Sequence, residues 1–152
     1  MIFTFLFLTI LFDLSLSQEQ PQRRNSFLNT RPDRSVQTNP EIQRMLTSIE
    51  RGVAAGTPEV FFGSLSDQVW MSIVGGERGV YSNNQALAIL QSFFANRRPI
   101  SFQFSRIDEV ASTPYATGRF VYINRGKQES SQIYVSLEER GSQWVVTQFN
   151  IY

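Results

Sequence analysis

Gly79-Val80-Tyr81-Ser82-Asn83-Asn84-Gln85-Ala86, running on through Leu90 to Phe93-Phe94, decides the fold of this chain. Val80-Tyr81 is extended chain, and Ser82 is a helix N-cap. Gln85 stands three residues on, so its side chain reaches back to the Ser82 N–H and completes a capping box. Ala86, Leu87, Leu90, Phe93 and Phe94 then fall on one helical face. Asn96-Arg97-Arg98-Pro99 ends the helix, because proline cannot continue its hydrogen-bond ladder. One stretch therefore closes a strand, starts a helix and brings an aromatic pair to a core.

A second helix start lies upstream. Asn39-Pro40-Glu41 combines an N-cap, a proline at the first helical position and an acid in the first turn. Ile42, Met45, Leu46, Ile49 and Val53 follow at helical spacing, and Gly52 and Gly56 mark the end. Thr57-Pro58-Glu59 starts a shorter helix carrying Val60, Phe61, Phe62 and Leu65. Gln68 to Val74 alternates as a strand, with Gly75-Gly76-Glu77-Arg78-Gly79 as the turn before Val80.

Strands make up the rest. Ile100, Phe102 and Phe104 alternate with polar residues, and further strands run from Tyr115 to Ile123, Glu129 to Glu138 and Gln143 to Ile151. Turns at Asn124-Arg125-Gly126 and Arg140-Gly141 make an antiparallel meander. Helices first and strands after them predict an α+β fold. Alternation assigns Ile100, Phe102, Phe104, Ile133, Val135, Leu137, Val145, Phe149 and Ile151 to the face under the helices. It leaves Tyr134, Trp144 and Val146 on the opposite face, while Phe120 and Tyr122 belong to a strand apolar on both sides, and these five are the surplus apolar residues. A homodimer interface through the sheet explains that surplus, and cover by loops is the alternative.

Composition narrows the function classes. The chain has 152 residues, 41% hydrophobic and 18% charged, with a formal net charge of +1. That suits one packed domain and gives no basic stripe for nucleic acid. Histidine and cysteine are both absent. Without them there is no zinc site of the usual kind, no cysteine nucleophile and no Ser-His-Asp triad. No disulfide can form, no metal or other cofactor is expected, and acid–base chemistry falls to Asp, Glu, Tyr or the single Lys127.

The first twelve residues, Met1 to Phe12, are almost unbroken apolar sequence, with Ser15 and Ser17 following. This is shorter than the about 20 residues that span a bilayer. It has the length of a signal-peptide core, with cleavage after Ser17. The alternative is a retained membrane anchor. Residues 18–38 are polar, contain Pro21 and Pro32, and read as a flexible leader. The expected organisation is a signal peptide over 1–17, a leader over 18–38 and one domain over 39–152. The mature protein is expected to be exported, periplasmic or extracellular, with no transmembrane segment after processing.

The order of elements resembles the nuclear-transport-factor-2-like fold, a cone of helices on a curved antiparallel sheet. Within it, Tyr81-Ser82, Gln85-Ala86, Phe93-Phe94, Thr117-Gly118, Ile133-Tyr134-Val135 and the strand from Trp144 to Ile151 resemble an uncharacterised secreted family, mainly from Bacteroidetes, classed as a domain of unknown function. The resemblance covers roughly Asn39 to Tyr152 and implies fold and export, with no known activity. Enzymes of the wider fold, such as ketosteroid isomerase and scytalone dehydratase, work in the cone with a carboxylate base and a tyrosine or protonated acid.

Candidates for such chemistry are Asp67, Asp108, Glu109 and the hydroxyls of Tyr81, Tyr115, Tyr122 and Tyr134. Each also has a plain structural role: turn acid, solvated hairpin loop, or core ring with its hydroxyl at the rim. Ser82 has no base beside it, and its capping role accounts for it. Tyr81, Phe94, Tyr122 and Tyr134 are the ligand-binding candidates, and no catalytic residue is assigned. The sequence favours a non-catalytic exported module that dimerises and binds a small apolar molecule or an envelope protein. The alternative is a small-molecule isomerase, dehydratase or hydrolase using a carboxylate–tyrosine pair in the cone.

Overall fold

The computed structural model describes residues 39–152. The expected signal peptide and leader, residues 1–38, lie outside the described residues. Helix α1 (Pro40–Ala55) is followed by a 3-10 helix (Pro58–Ser64), the hairpin β1 (Leu65–Ile73) and β2 (Arg78–Ser82), and helix α2 (Asn83–Ala95). Four strands complete the chain: β3 (Arg97–Asp108), β4 (Tyr115–Asn124), β5 (Lys127–Arg140) and β6 (Gln143–Ile151).

The helix termini form where local chemistry places them. Asn39 Oδ1 accepts from the Glu41 N–H at 2.9 Å. At the other end Gly56 takes a left-handed conformation, φ 68°, which a residue without Cβ adopts freely. Ser82 Oγ accepts from the Gln85 N–H at 3.3 Å, and Gln85 Oε1 accepts from the Ser82 N–H at 3.0 Å. The capping box is therefore complete. Ser82→Ala is expected to cost about 1 kcal/mol of stability. Urea midpoints compared for parent and variant check this, and identical midpoints would remove the capping account.

The sheet order is β2-β1-β6-β5-β4-β3. The meander is antiparallel, but β1 runs parallel to β6, with Met71 opposite Phe149 and Ile73 opposite Ile151. The sheet is thus mixed, which corrects the all-antiparallel expectation. Hairpin turns are local signals, whereas the β1–β6 pairing joins strands that α2 and four other strands separate in sequence.

Register irregularities curve the sheet and reassign its faces. Between Pro99 and Ser101 the β3–β4 register shifts, and Ile100 turns outward and is exposed. In β6, Leu137 pairs with Val146 while Ser136 pairs with Gln148, so Thr147 is an extra residue. Beyond it the parity flips: Val146 is buried and Val145 is only partly so. The alternation expected from sequence ran straight through both bulges, which is why it placed Ile100 and Val145 inside and Val146 outside.

Phe120 and Tyr122 are corrected by register. Phe120 lies opposite Phe102, so both share the inner face and are buried. Trp144 lies on the same side as Val146, packed against the core near α1. Of the five residues expected at a dimer interface, only Tyr134 lies on the outer face. Thr117 and Asn150 flank it there.

Two carboxylates tie α1 down. Glu50 Oε1 accepts from the Phe104 N–H at 2.7 Å, beside the second bulge of edge strand β3. That occupies an edge donor that would otherwise offer itself to another strand. Glu109 accepts from the Asn39 N–H at 2.7 Å and from the Gln43 side chain. Its charge sits at the positive end of α1. Glu109 is therefore a helix anchor rather than a solvated loop residue.

Candidate functional site

The inside of the cone is packed with rings. Phe94 meets Phe120 edge-on at 5.7 Å, Phe93 meets Phe94 at 5.3 Å, and Phe120 stacks on Tyr122 at 4.9 Å. Phe102 contacts Phe104 at 4.9 Å and Phe120 at 6.5 Å. Phe61 stacks on Phe149 at 5.7 Å, joining the 3-10 helix to β6. Offset and edge-to-face ring pairs each add about 0.5–1.5 kcal/mol beyond burial. Among the described residues, the buried polar side chains outside this apolar core are Ser66, Ser131, Ser136 and Asn150, with no carboxylate among them. Tyr122 is buried, and its hydroxyl is bonded to Ser131 Oγ at 3.2 Å.

The concave surface lies elsewhere. A cleft of about 390 Å³ opens between α2 and the β1–β2 turn. Ile73, Ile89 and Phe93 form its apolar side, and Gly75-Gly76 offers backbone without side chains. Ser92, Asn96 and Arg97 add polar groups near the C-terminal end of α2. The Arg97 guanidinium carbon lies 4.0 Å from the centre of the Phe93 ring and 5.8 Å from that of Tyr122. Arg97 Nη1 donates to the Phe93 carbonyl at 3.2 Å. Its Nε is buried without a hydrogen-bond partner.

The residues singled out from sequence are not brought together. Tyr81 is partly buried on β2, and its hydroxyl donates to Glu77 at 3.0 Å on the rim of the cleft. That hydrogen bond is the main reason the phenol titrates above the ordinary tyrosine range. Phe94 and Tyr122 are in the core. Tyr134 is on the outer face, stacked on Tyr115 at 5.7 Å. Burial first, then the nearby Tyr152, raises its pKa. Asp67 is exposed, and Asp108 accepts from the Val110 and Ala111 N–H groups as a turn acid. Among the described residues no cluster of three Asp or Glu side chains could hold a metal ion, and no helix is long and apolar enough to cross a membrane.

Residues 46–152 match the model of a family described as a domain of unknown function, DUF4783. The chain belongs to the DUF4783 family. A DUF4783 structure from Bacteroides uniformis superposes with a TM-score of 0.62 at 15% identity, covering 69% of this chain and 93% of that one. One from Bacteroides ovatus gives 0.61 at 15% identity, covering 68% and 90%. An NTF2-like protein of unknown function from Shewanella oneidensis gives 0.53 at 13% identity, covering 74% and 96%. At these identities the likeness concerns the fold, which is nuclear-transport-factor-2-like: helices on a curved mixed sheet. No curated protein matches the chain.

Arg97 and the Gly75-Gly76 turn were not singled out as a site from sequence. In the sequence Arg97 reads only as part of a helix end, and the glycines only as a turn. Their signal was chemical: a cation just after a helix C-terminus, and two side-chain-free residues in one turn. Only the fold places the two side by side.

Proposed function

We propose that this DUF4783 chain is an exported, non-catalytic binding or interaction module that self-associates through the outer face of its sheet. The filled cone carries the non-catalytic part. Acid–base catalysis needs a proton-transfer group within hydrogen-bond reach of a bound substrate. The interior of the cone instead holds Phe93, Phe94, Phe102 and Phe120 in mutual contact, and the Tyr122 hydroxyl is bonded to Ser131. The isomerase, dehydratase or hydrolase alternative requires a carboxylate in that space, and none is buried there among the described residues.

Self-association is supported by Tyr134, expected from sequence, and by Trp70, Val80 and Tyr152, which were not. Trp70 is 39% exposed and lies opposite Val80, which is 57% exposed. Tyr134 and the exposed Tyr152 extend the apolar content of the same sheet across β5 and β6. A tryptophan with its β-branched neighbour on an open sheet face suits an interface core. Export is supported by the apolar run from Met1 to Phe12 and the small residues Ser15 and Ser17.

Native mass spectrometry of the chain recovered from an exporting bacterial host tests both parts. The expected mass is that of two chains, each beginning at Gln18. Trp70→Glu is expected to give one chain with a nearly unchanged melting midpoint. A parent protein that stays single at high micromolar concentration would overturn self-association, and a chain still beginning at Met1 would overturn export.

A further inference from the structure

We infer that the cleft between α2 and the β1–β2 turn binds a small monocarboxylate with an apolar body, its carboxylate held by Arg97. This rests on the reading of the chain as a binding module and names the ligand class of one site.

Arg97 carries an uncompensated charge. Arg97 is partly buried, yet the only ion pair among the described residues is Arg140–Glu138. The end of α2 accounts for a cation at this position, since the helix terminus is its negative pole. That role uses one bond, from Nη1 to the Phe93 carbonyl. Nε is buried with no partner, and the Arg97 side chain makes no other hydrogen bond among the described residues. Among those residues Nη2 is neither bonded nor buried, so it is the guanidinium donor that a carboxylate in the cleft can reach.

The guanidinium is also held still. The Phe93 ring lies 4.0 Å from the guanidinium carbon, and the Tyr122 ring lies 5.8 Å from the same atom. Arginine stacked on an aromatic face loses little further freedom when it takes up an anion.

The rest of the cleft sets the ligand's body and charge. Ile73, Ile89 and Phe93 give it an apolar wall. A Cβ built at Gly75 would meet nothing within 4 Å, so the turn leaves that side open. The volume of about 390 Å³ is at the small end of ligand pockets, which run from about 300 to 1,000 Å³. Glu77 also lines the cleft, with the Tyr81 hydroxyl on its carboxylate. With one cation and one anion in the lining, a single negative charge at Arg97 is favoured. A ligand with a second anionic group would meet Glu77.

Octanoate, octan-1-ol and octylammonium serve as matched probes, with affinity from calorimetry and location from amide shifts of the labelled full chain. Octanoate is expected to bind at least about tenfold more tightly than octanol, the lower range for a hydrogen bond to a charged group. Shifts are expected at Gly75, Gly76, Ile89 and Arg97. Arg97→Gln is expected to remove the preference and Arg97→Lys to keep part of it. Should Arg97→Gln unfold, Ser92→Glu places a competing carboxylate on the exposed side of the same cleft, and it too is expected to remove the preference. Equal binding of octanoate and octanol at those amides would overturn the anion assignment while leaving a binding module. Octanoate shifts confined to other residues, or no octanoate binding at millimolar concentration, would overturn the site itself. Neither result bears on the mass-spectrometric test of self-association.

Discussion

Phe120→Ala is expected to lower the unfolding free energy by about 3–5 kcal/mol, the range for removing a buried ring. Phe120 has no exposed surface. It stacks on Tyr122 and meets Phe93, Phe94 and Phe102 within 6.5 Å, so one side chain joins α2, β3 and β4. The hole left by the ring cannot close easily. Its backbone is paired on both sides, opposite Phe102 on β3 and Ser131 on β5. Cavities that cannot collapse give the larger losses. Domains are stable by about 5–15 kcal/mol, so the variant loses a large share of its margin. Urea titration followed by tryptophan fluorescence measures the loss, with Phe120→Leu as a control expected to lose less. A loss under about 1 kcal/mol would mean that the cone is not packed on this ring. The argument against chemistry inside the cone would then fall with it.

What the sequence disclosed depended on the range of the interaction. The Asn39 cap, the Ser82–Gln85 box and β6 over Gln143–Ile151 were legible, because each is set by residues adjacent in the chain. Facing was legible only where no bulge intervened. Phe102, Phe104, Ile133 and Val135 obeyed alternation, whereas Ile100 and Val146 did not, because one extra residue inverts every later side chain. Phe120 and Tyr122 lie in a stretch apolar on both faces, so only pairing with Phe102 could orient them. The parallel contact of β1 with β6 left no turn signal to read. For the same reason the Arg97 cleft was not legible, since α2 and the Gly75-Gly76 turn meet only in the folded chain.

Thr117-Gly118 was first noted as a family mark, and the structure gives its glycine a steric reason. Gly118 lies opposite Phe104 in the β3–β4 ladder, next to the register shift between Phe104 and Arg106. A Cβ built on Gly118 would run into the Gln103 carbonyl oxygen, and would lie 2.9 Å from its carbon and 2.8 Å from the Phe102 ring. The ring can rotate away, but a carbonyl cannot move without parting the strands. Gly118 shows no positive φ, so the obstacle is space and not backbone conformation. Gly118→Ala is therefore expected to cost about 3 kcal/mol, the upper part of the usual overpacking range. Relief by backbone displacement would loosen the bonds of β3 to β4 near the site where Glu50 holds the Phe104 N–H. Hydrogen exchange at Phe104 and Phe120 should accelerate more than at Ile133 on the far side of β4. Uniform acceleration at all three would mean that the strain is spread through the domain. Unchanged stability would mean that β3 can step back from β4 freely, contrary to the close approach on which the curvature of this sheet depends.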